Sequence, residues 1–173
     1  MAGIQFQPES LVADTSSLIY LAKSSIIRPF LQTFHVIIPP LVFQECVQRG
    51  YAGSDEINGL REQGQLLVQS VREDPRLPLK RPRGGEREVI ALFYQLGPDG
   101  VLIDDRDGVN VCRSLSIPFV SALLVPSLLI TKKVLSPREA RRALEKIINV
   151  GRYSQRVVLF ARDVFGEACS LQN

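Results

Sequence analysis

Apolar residues along this chain fall into short runs that alternate with longer stretches of helical period, and most of the short runs stop at a charged or turn-forming residue. Leu11-Val12-Ala13 ends at Asp14. Thr15-Ser16-Ser17, followed by Leu18, Ile19, Leu21 and Ala22, predicts a helix that starts directly after that strand. Val36-Ile37-Ile38 runs into Pro39-Pro40, which suits a first helical turn, and Val42, Phe43, Cys46 and Val47 then recur at helical spacing until Gly50. The pattern next predicts a helix over 54–63, a strand over 65–71, and a loop over 72–85, where three prolines and two glycines fall. A helix over 86–96 leads through a Gly97-Pro98-Asp99-Gly100 turn to a strand at 101–103, which stops at Asp104-Asp105. A helix over 107–115 and a short strand at 118–120 follow. The rest reads as helical. Ser136-Pro137-Arg138-Glu139 offers an N-cap, a first-turn proline and a capping-box acid, and Ala140, Ala143, Leu144, Ile147 and Ile148 share one face. Gly151 breaks that helix and 154–165 forms the last one.

Short strands alternating with helices predict an α/β fold with a central parallel sheet and helices packed on it. The 173 residues suit a single domain, 1–173, with a core of about 11–125 and a helical C-terminal extension of about 126–173. Hydrophobic residues at 45% and charged residues at 23% exclude a disordered chain. A domain this size buries about 70% of its unfolded surface, so it needs neither disulfides nor a structural metal. Cys46, Cys112 and Cys169 lie far apart with no C-x-x-C, against a disulfide framework or zinc ribbon. The lone histidine, His35, lies in a β-branched run and reads as a strand-edge residue, so multi-histidine zinc chemistry and a Ser-His-Asp triad are set aside. Residues 117–130, interrupted by Pro118, Ser121, Pro126 and Ser127, are too short to span a bilayer. Nor does the N-terminus carry the basic and apolar regions of a signal peptide, so the expectation is a cytoplasmic protein without a membrane partner. A net charge of +3 permits a nucleic-acid partner without demanding one.

The chemistry lies in where the acids fall. Asp14 and the Asp104-Asp105 pair each follow an apolar strand directly, and carboxyl ends of strands are where sites form in open α/β sheets. Glu45 lies one turn into the helix after the second strand, and Glu86 opens the helix after the loop. Each has a plain structural reading. Asp14 before Thr-Ser-Ser suits an N-cap, Glu45 a solvated helix face, Glu86 a first-turn acid, and Asp104-Asp105-x-Asp107 a capped turn. As a set, carboxylates converging on one rim would raise one another's pKa, and a divalent cation relieves the repulsion; all-oxygen donors select Mg²⁺ or Mn²⁺ over zinc. Such a centre suits phosphodiester hydrolysis by activating water and stabilising charge on the phosphoryl oxygens. Arg72, Arg76, Lys80, Arg81, Arg83 and Arg87 flank the approach to Glu86, where they suit a polyanionic backbone or, more plainly, a solvated face.

The ordered motifs resemble the PIN-domain family of nucleases, which includes the VapC-type toxins. Leu11-Val12-Ala13-Asp14-Thr15-Ser16 matches its opening strand, acid and hydroxyl residue. Ile38-Pro39-Pro40-Leu41-Val42-Phe43-Gln44-Glu45 matches the second acid region, Gly85-Glu86-Arg87-Glu88-Val89-Ile90-Ala91-Leu92 the third, and Leu102-Ile103-Asp104-Asp105-Arg106-Asp107 the fourth. The resemblance spans about 11–125 and implies a three-layer α/β/α fold. It implies endonucleolytic cleavage of single-stranded RNA with Mg²⁺ or Mn²⁺, leaving 5′-phosphate and 3′-hydroxyl ends. Asp14, Glu45, Glu86 and Asp105 would be the catalytic, metal-binding acids, with Asp14 and Asp105 as principal ligands. Asp104 and Asp107 are alternates for the last position, and Ser16 would orient ligands or water. Lys80, Arg81, Arg83 and Arg87 would hold the RNA backbone. A homodimer, and a cognate antitoxin if the protein is the toxin of such a pair, are the partners implied. Two departures stand out: Ile103 replaces a frequent hydroxyl residue, and Glu86 stands where many members carry Asp. The rival reading is an inactive module of the same fold that binds RNA or protein. A haloacid-dehalogenase-type phosphotransferase ranks low, because it needs an Asp where Ser16 stands.

Overall fold

The computed structural model describes residues 6–48, 53–72 and 84–171. Five parallel strands form one sheet in the order β3-β2-β1-β4-β5: β1 (Ser10–Ala13), β2 (His35–Ile38), β3 (Leu67–Val68), β4 (Gly100–Leu102) and β5 (Phe119–Val120). The central β1 pairs with β2 on one side and β4 on the other, in registers such as Val12 with Ile37 and with Val101. Parallel strands covered on both faces need continuous apolar runs rather than alternation, which Leu11, Val12, Ala13, Val101 and Leu102 supply, all fully buried. The chain crosses the sheet one way from β1 through β2 to β3 and returns through β4 to β5. Right-handed crossovers therefore place helices on both faces, giving three α/β/α layers.

Helices α1 (Thr15–Lys23) and α2 (Ile27–Thr33) join β1 to β2; α3 (Pro40–Cys46) and α4 (Ser54–Glu62) join β2 to β3. Helix α5 (Gly85–Leu96) returns to β4, and α6 (Arg106–Ser114) connects β4 to β5. A short 3-10 turn (Ala122–Leu124) then feeds α7 (Val125–Thr131), α8 (Pro137–Val150) and α9 (Gln155–Ser170). These last helices pack on one another and back onto α1 and α2, with Leu128, Leu129, Ile130, Leu144 and Ile147 buried in the same core as the strands. Ser136 caps α8 through the reciprocal Ser136–Glu139 capping box expected from sequence.

Four elements differ in onset or extent from the hydrophobic pattern. The strand expected over 65–71 is only Leu67–Val68, paired to the end of β2. Helix α2 has Pro29 in its first turn, where proline costs no hydrogen bond, but no side-chain cap to announce it. Helix α7 begins at Val125-Pro126 straight out of the 3-10 turn, in a run so uniformly apolar that it carries no helical period. The last helix also runs past 165 to Ser170. His35, the first residue of β2, is exposed. Among the described residues the three cysteines are free, and no helix is long and apolar enough to cross a membrane.

Candidate active site: a carboxylate rim at the switch point of the sheet

Strand order reverses between β1 and β4, and the crevice beyond the carboxyl ends of those strands is where open α/β sheets place their ligands. Asp14 and Asp104 lie there. The Asp14 amide donates to the Leu102 carbonyl at 2.9 Å, so the β1–β4 ladder runs right up to the first acid. Asp14 is only 2% exposed. Its Oδ1 accepts the Ser17 amide at 2.8 Å, capping α1, and its Oδ2 accepts the Asp104 amide at 3.3 Å. Burial first, and then the charge of Asp104, push its pKa up to about 7, against the pull of those hydrogen bonds.

Glu86 reaches the rim from the first turn of α5. It too is pushed up to about 7, by burial and then by Asp105, Asp14, Asp107 and Glu45 in that order. Glu86 Cγ lies 3.9 Å from where a Cβ on Gly108 would stand, which sets this side chain beside the α6 turn that Asp105 opens. Glu45, on α3, accepts the Thr15 hydroxyl. Its carboxylate lies against the start of α5, where Gly84 takes φ 64° and ψ −141°, a conformation nearly restricted to glycine. A Cβ on Gly85 would stand 2.9 Å from Glu45 Oε2 and 3.0 Å from Val42 Cγ2. The glycine pair thus lets Glu45 of α3 lie close against the start of α5. Asp105 is the N-cap of α6, its Oδ1 accepting from Asp107 N at 2.8 Å and Gly108 N at 3.3 Å. Asp107, next to it, is exposed.

Asp104 is engaged differently. Ser17 Oγ at 2.6 Å and Ala122 N at 2.9 Å donate to its Oδ2, while the Ser121 hydroxyl and Tyr153 OH, the latter at 2.8 Å, donate to its Oδ1. Four donors fill the acceptor positions of a carboxylate. Where sequence offered Ser16 as the helper of the acids, Thr15 and Ser17 make these contacts. Ile103, which replaces a frequent hydroxyl residue, is fully buried and packs its Cδ1 where a side chain at Gly108 would stand. Packing holds that turn. Arg87 is exposed on α5, whereas Arg76, Lys80, Arg81 and Arg83 lie outside the described residues.

The donor set is all carboxylate oxygen, suited to a hard divalent cation. Asp14 and Glu86 are both pushed up to about 7, by burial first and then by neighbouring carboxylates, a cost that such a cation offsets. Among the described residues no three such side chains are already drawn together as a cage. The rim therefore supplies the charge and the ligand type, and the residues fit the ion in those two respects. Even the buried Cys46 thiol registers the field, its pKa pushed up to about 12 by burial and then by Asp14 and Glu45.

Compared with family models, residues 10–162 match one described as a PIN domain, DUF3368. Comparison with curated proteins and with solved structures gives no match.

Proposed function

This chain belongs to the PIN-domain family, within a nuclease superfamily, and on that premise we propose that it is a metal-dependent endoribonuclease that hydrolyses phosphodiester bonds of single-stranded RNA. The observation that carries the reading is that Asp14 and Glu86 are both pushed up to about 7 beside the switch point, each by burial first and then by neighbouring acids. A rim used only for helix capping has no need of acids that repel each other.

Asp14, Asp105, Glu86 and Glu45 would hold Mg²⁺ or Mn²⁺, Asp14 and Asp105 as the principal ligands. When bound, the cation supplies a water of lowered pKa and stabilises negative charge on the phosphoryl and leaving oxygens. The chain does the rest. The Ser17 amide fixes Asp14 Oδ1, and the Thr15 hydroxyl fixes the Glu45 carboxylate. Glu86, half-buried on the first turn of α5 with its Cγ near Gly108 of α6, would orient the attacking water. Arg87, beside it on the solvent side, and Lys80, Arg81 and Arg83 in the preceding segment would hold the RNA backbone.

The test is cleavage of a labelled single-stranded RNA by purified protein with Mn²⁺, Mg²⁺ or EDTA, beside Asp14→Asn. Cleavage abolished by both EDTA and the substitution is expected. Cleavage that survives the substitution refutes the site. Absence of both cleavage and Mn²⁺ binding in calorimetry transfers the protein to the inactive, RNA- or protein-binding reading.

A further inference from the structure

Among the described residues, a cluster of four donors surrounds a carboxylate that is not one of the four acids proposed to hold the cation. It is built around Asp104, and one of its four donors comes from far along the chain. Tyr153 lies in the loop between α8 and α9, forty-nine residues beyond Asp104, and its phenol donates to Asp104 Oδ1 at 2.8 Å. The ring is seated with care. It meets Tyr20 of α1 edge to face at a centroid distance of 6.0 Å, and a Cβ on Gly151 would fall 2.1 Å from its Cε2. Burial and the Asp104 charge both raise the phenol pKa, so the hydroxyl stays a donor throughout the ordinary pH range.

Asp104 stands between the two principal acids. Its amide donates to Asp14 Oδ2, and its peptide bond leads directly into Asp105, whose side chain caps α6. Holding the Asp104 carboxylate therefore fixes the backbone that sets Asp14 and Asp105 relative to each other. The donors come from α1, from the turn after β5 and from the α8–α9 loop, so three separate parts of the chain meet at one carboxylate. All four donors are neutral. They stabilise the Asp104 charge without placing a cationic side chain where it would compete with a metal ion.

We propose that Tyr153 is a positioning residue for the carboxylate rim, its phenol holding Asp104 and, through the Asp104 peptide, fixing Asp14 and Asp105 relative to each other for a divalent cation. The C-terminal helices are on this account part of the active site's frame. The proposal rests on the reading of the rim as a cation site.

The experiment uses the full chain and its Tyr153→Phe variant, which keeps the ring and removes only the donor. Mn²⁺ affinity is read from the electron paramagnetic resonance signal of free Mn²⁺, alongside thermal unfolding and RNA cleavage kinetics. Loss of a partner that holds a metal ligand in place typically weakens affinity or activity by 10- to 100-fold. Because three donors remain, the expected result is about tenfold weaker Mn²⁺ binding and a lower kcat at unchanged KM for RNA, with near-wild-type unfolding. Gly151→Ala, which must displace the ring, is expected to weaken Mn²⁺ binding as well. If Tyr153→Phe does not fold, Ser121→Ala removes the other donor to the same oxygen and carries the same expectation. Mn²⁺ affinity within twofold of wild type in the folded variant overturns the proposal and leaves the cation reading standing. A wild-type protein that neither binds Mn²⁺ nor cuts RNA overturns both.

Discussion

Replacing Asp14 by Asn should make the metal-free protein more stable at pH 8. Asp14 titrates near 3.8 when unconstrained and near 7 in the folded rim, so between those values the native state keeps a proton that the unfolded chain has released. Stability then falls as pH rises through this window, reaches its full penalty above about 7, and is unaffected below about 3.8. At about 1.4 kcal/mol per pKa unit, the penalty approaches 4 kcal/mol at pH 8. Asn is neutral, nearly isosteric, and keeps an oxygen for the Ser17 amide, so the α1 cap survives. Its amide nitrogen cannot accept from the Asp104 amide, a long 3.3 Å bond whose loss costs about 1 kcal/mol. The net expectation is a gain of about 2–3 kcal/mol at pH 8, shrinking to zero or a slight loss at pH 4. Urea denaturation followed by circular dichroism in EDTA at pH 4, 6 and 8 measures it, provided the m-value stays constant. A variant no more stable than wild type at pH 8, or a difference that does not change with pH, would refute the claim that Asp14 is a strained carboxylate. The same variant losing RNA cleavage while gaining stability would separate chemistry from folding in one protein.

Mn²⁺ should raise the unfolding temperature of the wild type at pH 8 and do so much less at pH 5, where Asp14 and Glu86 hold protons that the cation must displace; an equal rise at both values in differential scanning fluorimetry contradicts the rim as the binding site. Gly85→Ala should destabilise by about 1–3 kcal/mol through crowding of Glu45 and Val42, and should slow cleavage. If urea denaturation instead shows the gain of about 1 kcal/mol ordinary for Gly to Ala in a helix, the close approach is not a constraint. Charge reversal of Arg81 and Arg83 together should flatten the salt dependence of RNA binding, by about 0.7 in the log–log slope for each phosphate no longer neutralised; an unchanged slope in fluorescence anisotropy removes these residues from the interface.

The part of this molecule legible in sequence is the part written in local terms. Runs such as Leu11-Val12-Ala13 and Val101-Leu102-Ile103, buried on both sides, announce parallel strands, and Ser136-Pro137 with Glu139 announces α8. What sequence could not place depends on contacts made at a distance. Helices α2 and α7 have no side-chain cap to mark their starts, and Pro29 and Pro126 sit harmlessly in first turns. The positions of Asp14, Glu86 and Asp105 were readable because each is tied to a strand end or helix start, and that of Glu45 because it lies one turn into the helix that follows β2. Their surroundings were not. Ser17 rather than Ser16 serves the acids because helix geometry turns the third residue after an N-cap back toward the capping carboxylate. Tyr153 carried no signal at all, since nothing in an isolated Gly-Arg-Tyr-Ser turn tells which strand end it will meet.

Asp14 and Asp105 show why the plain and the chemical readings of these acids do not compete. Both are N-caps in extended backbone, Asp14 at φ −89° and ψ 168°, Asp105 at φ −66° and ψ 139°. Capping draws one oxygen of each onto helix amides, at the positive end of a helix dipole, and this lowers the cost of gathering acids in one crevice. It does not cancel that cost, because Asp14 still titrates near 7. The caps fix the direction of each carboxylate, while the remaining repulsion gives a cation something to relieve. Were capping the whole purpose of Asp14, Asn or Ser would cap as well at that position without the penalty, as a neutral cap does elsewhere in this chain at Ser136. The free energy that Asp14→Asn recovers in the metal-free protein is thus the cost of a buried carboxylate beside Asp104, a cost that bound Mn²⁺ should offset in the wild type. Mn²⁺ stabilisation at pH 8 should accordingly collapse in the variant, because the ligand charge and the strain disappear with the same oxygen.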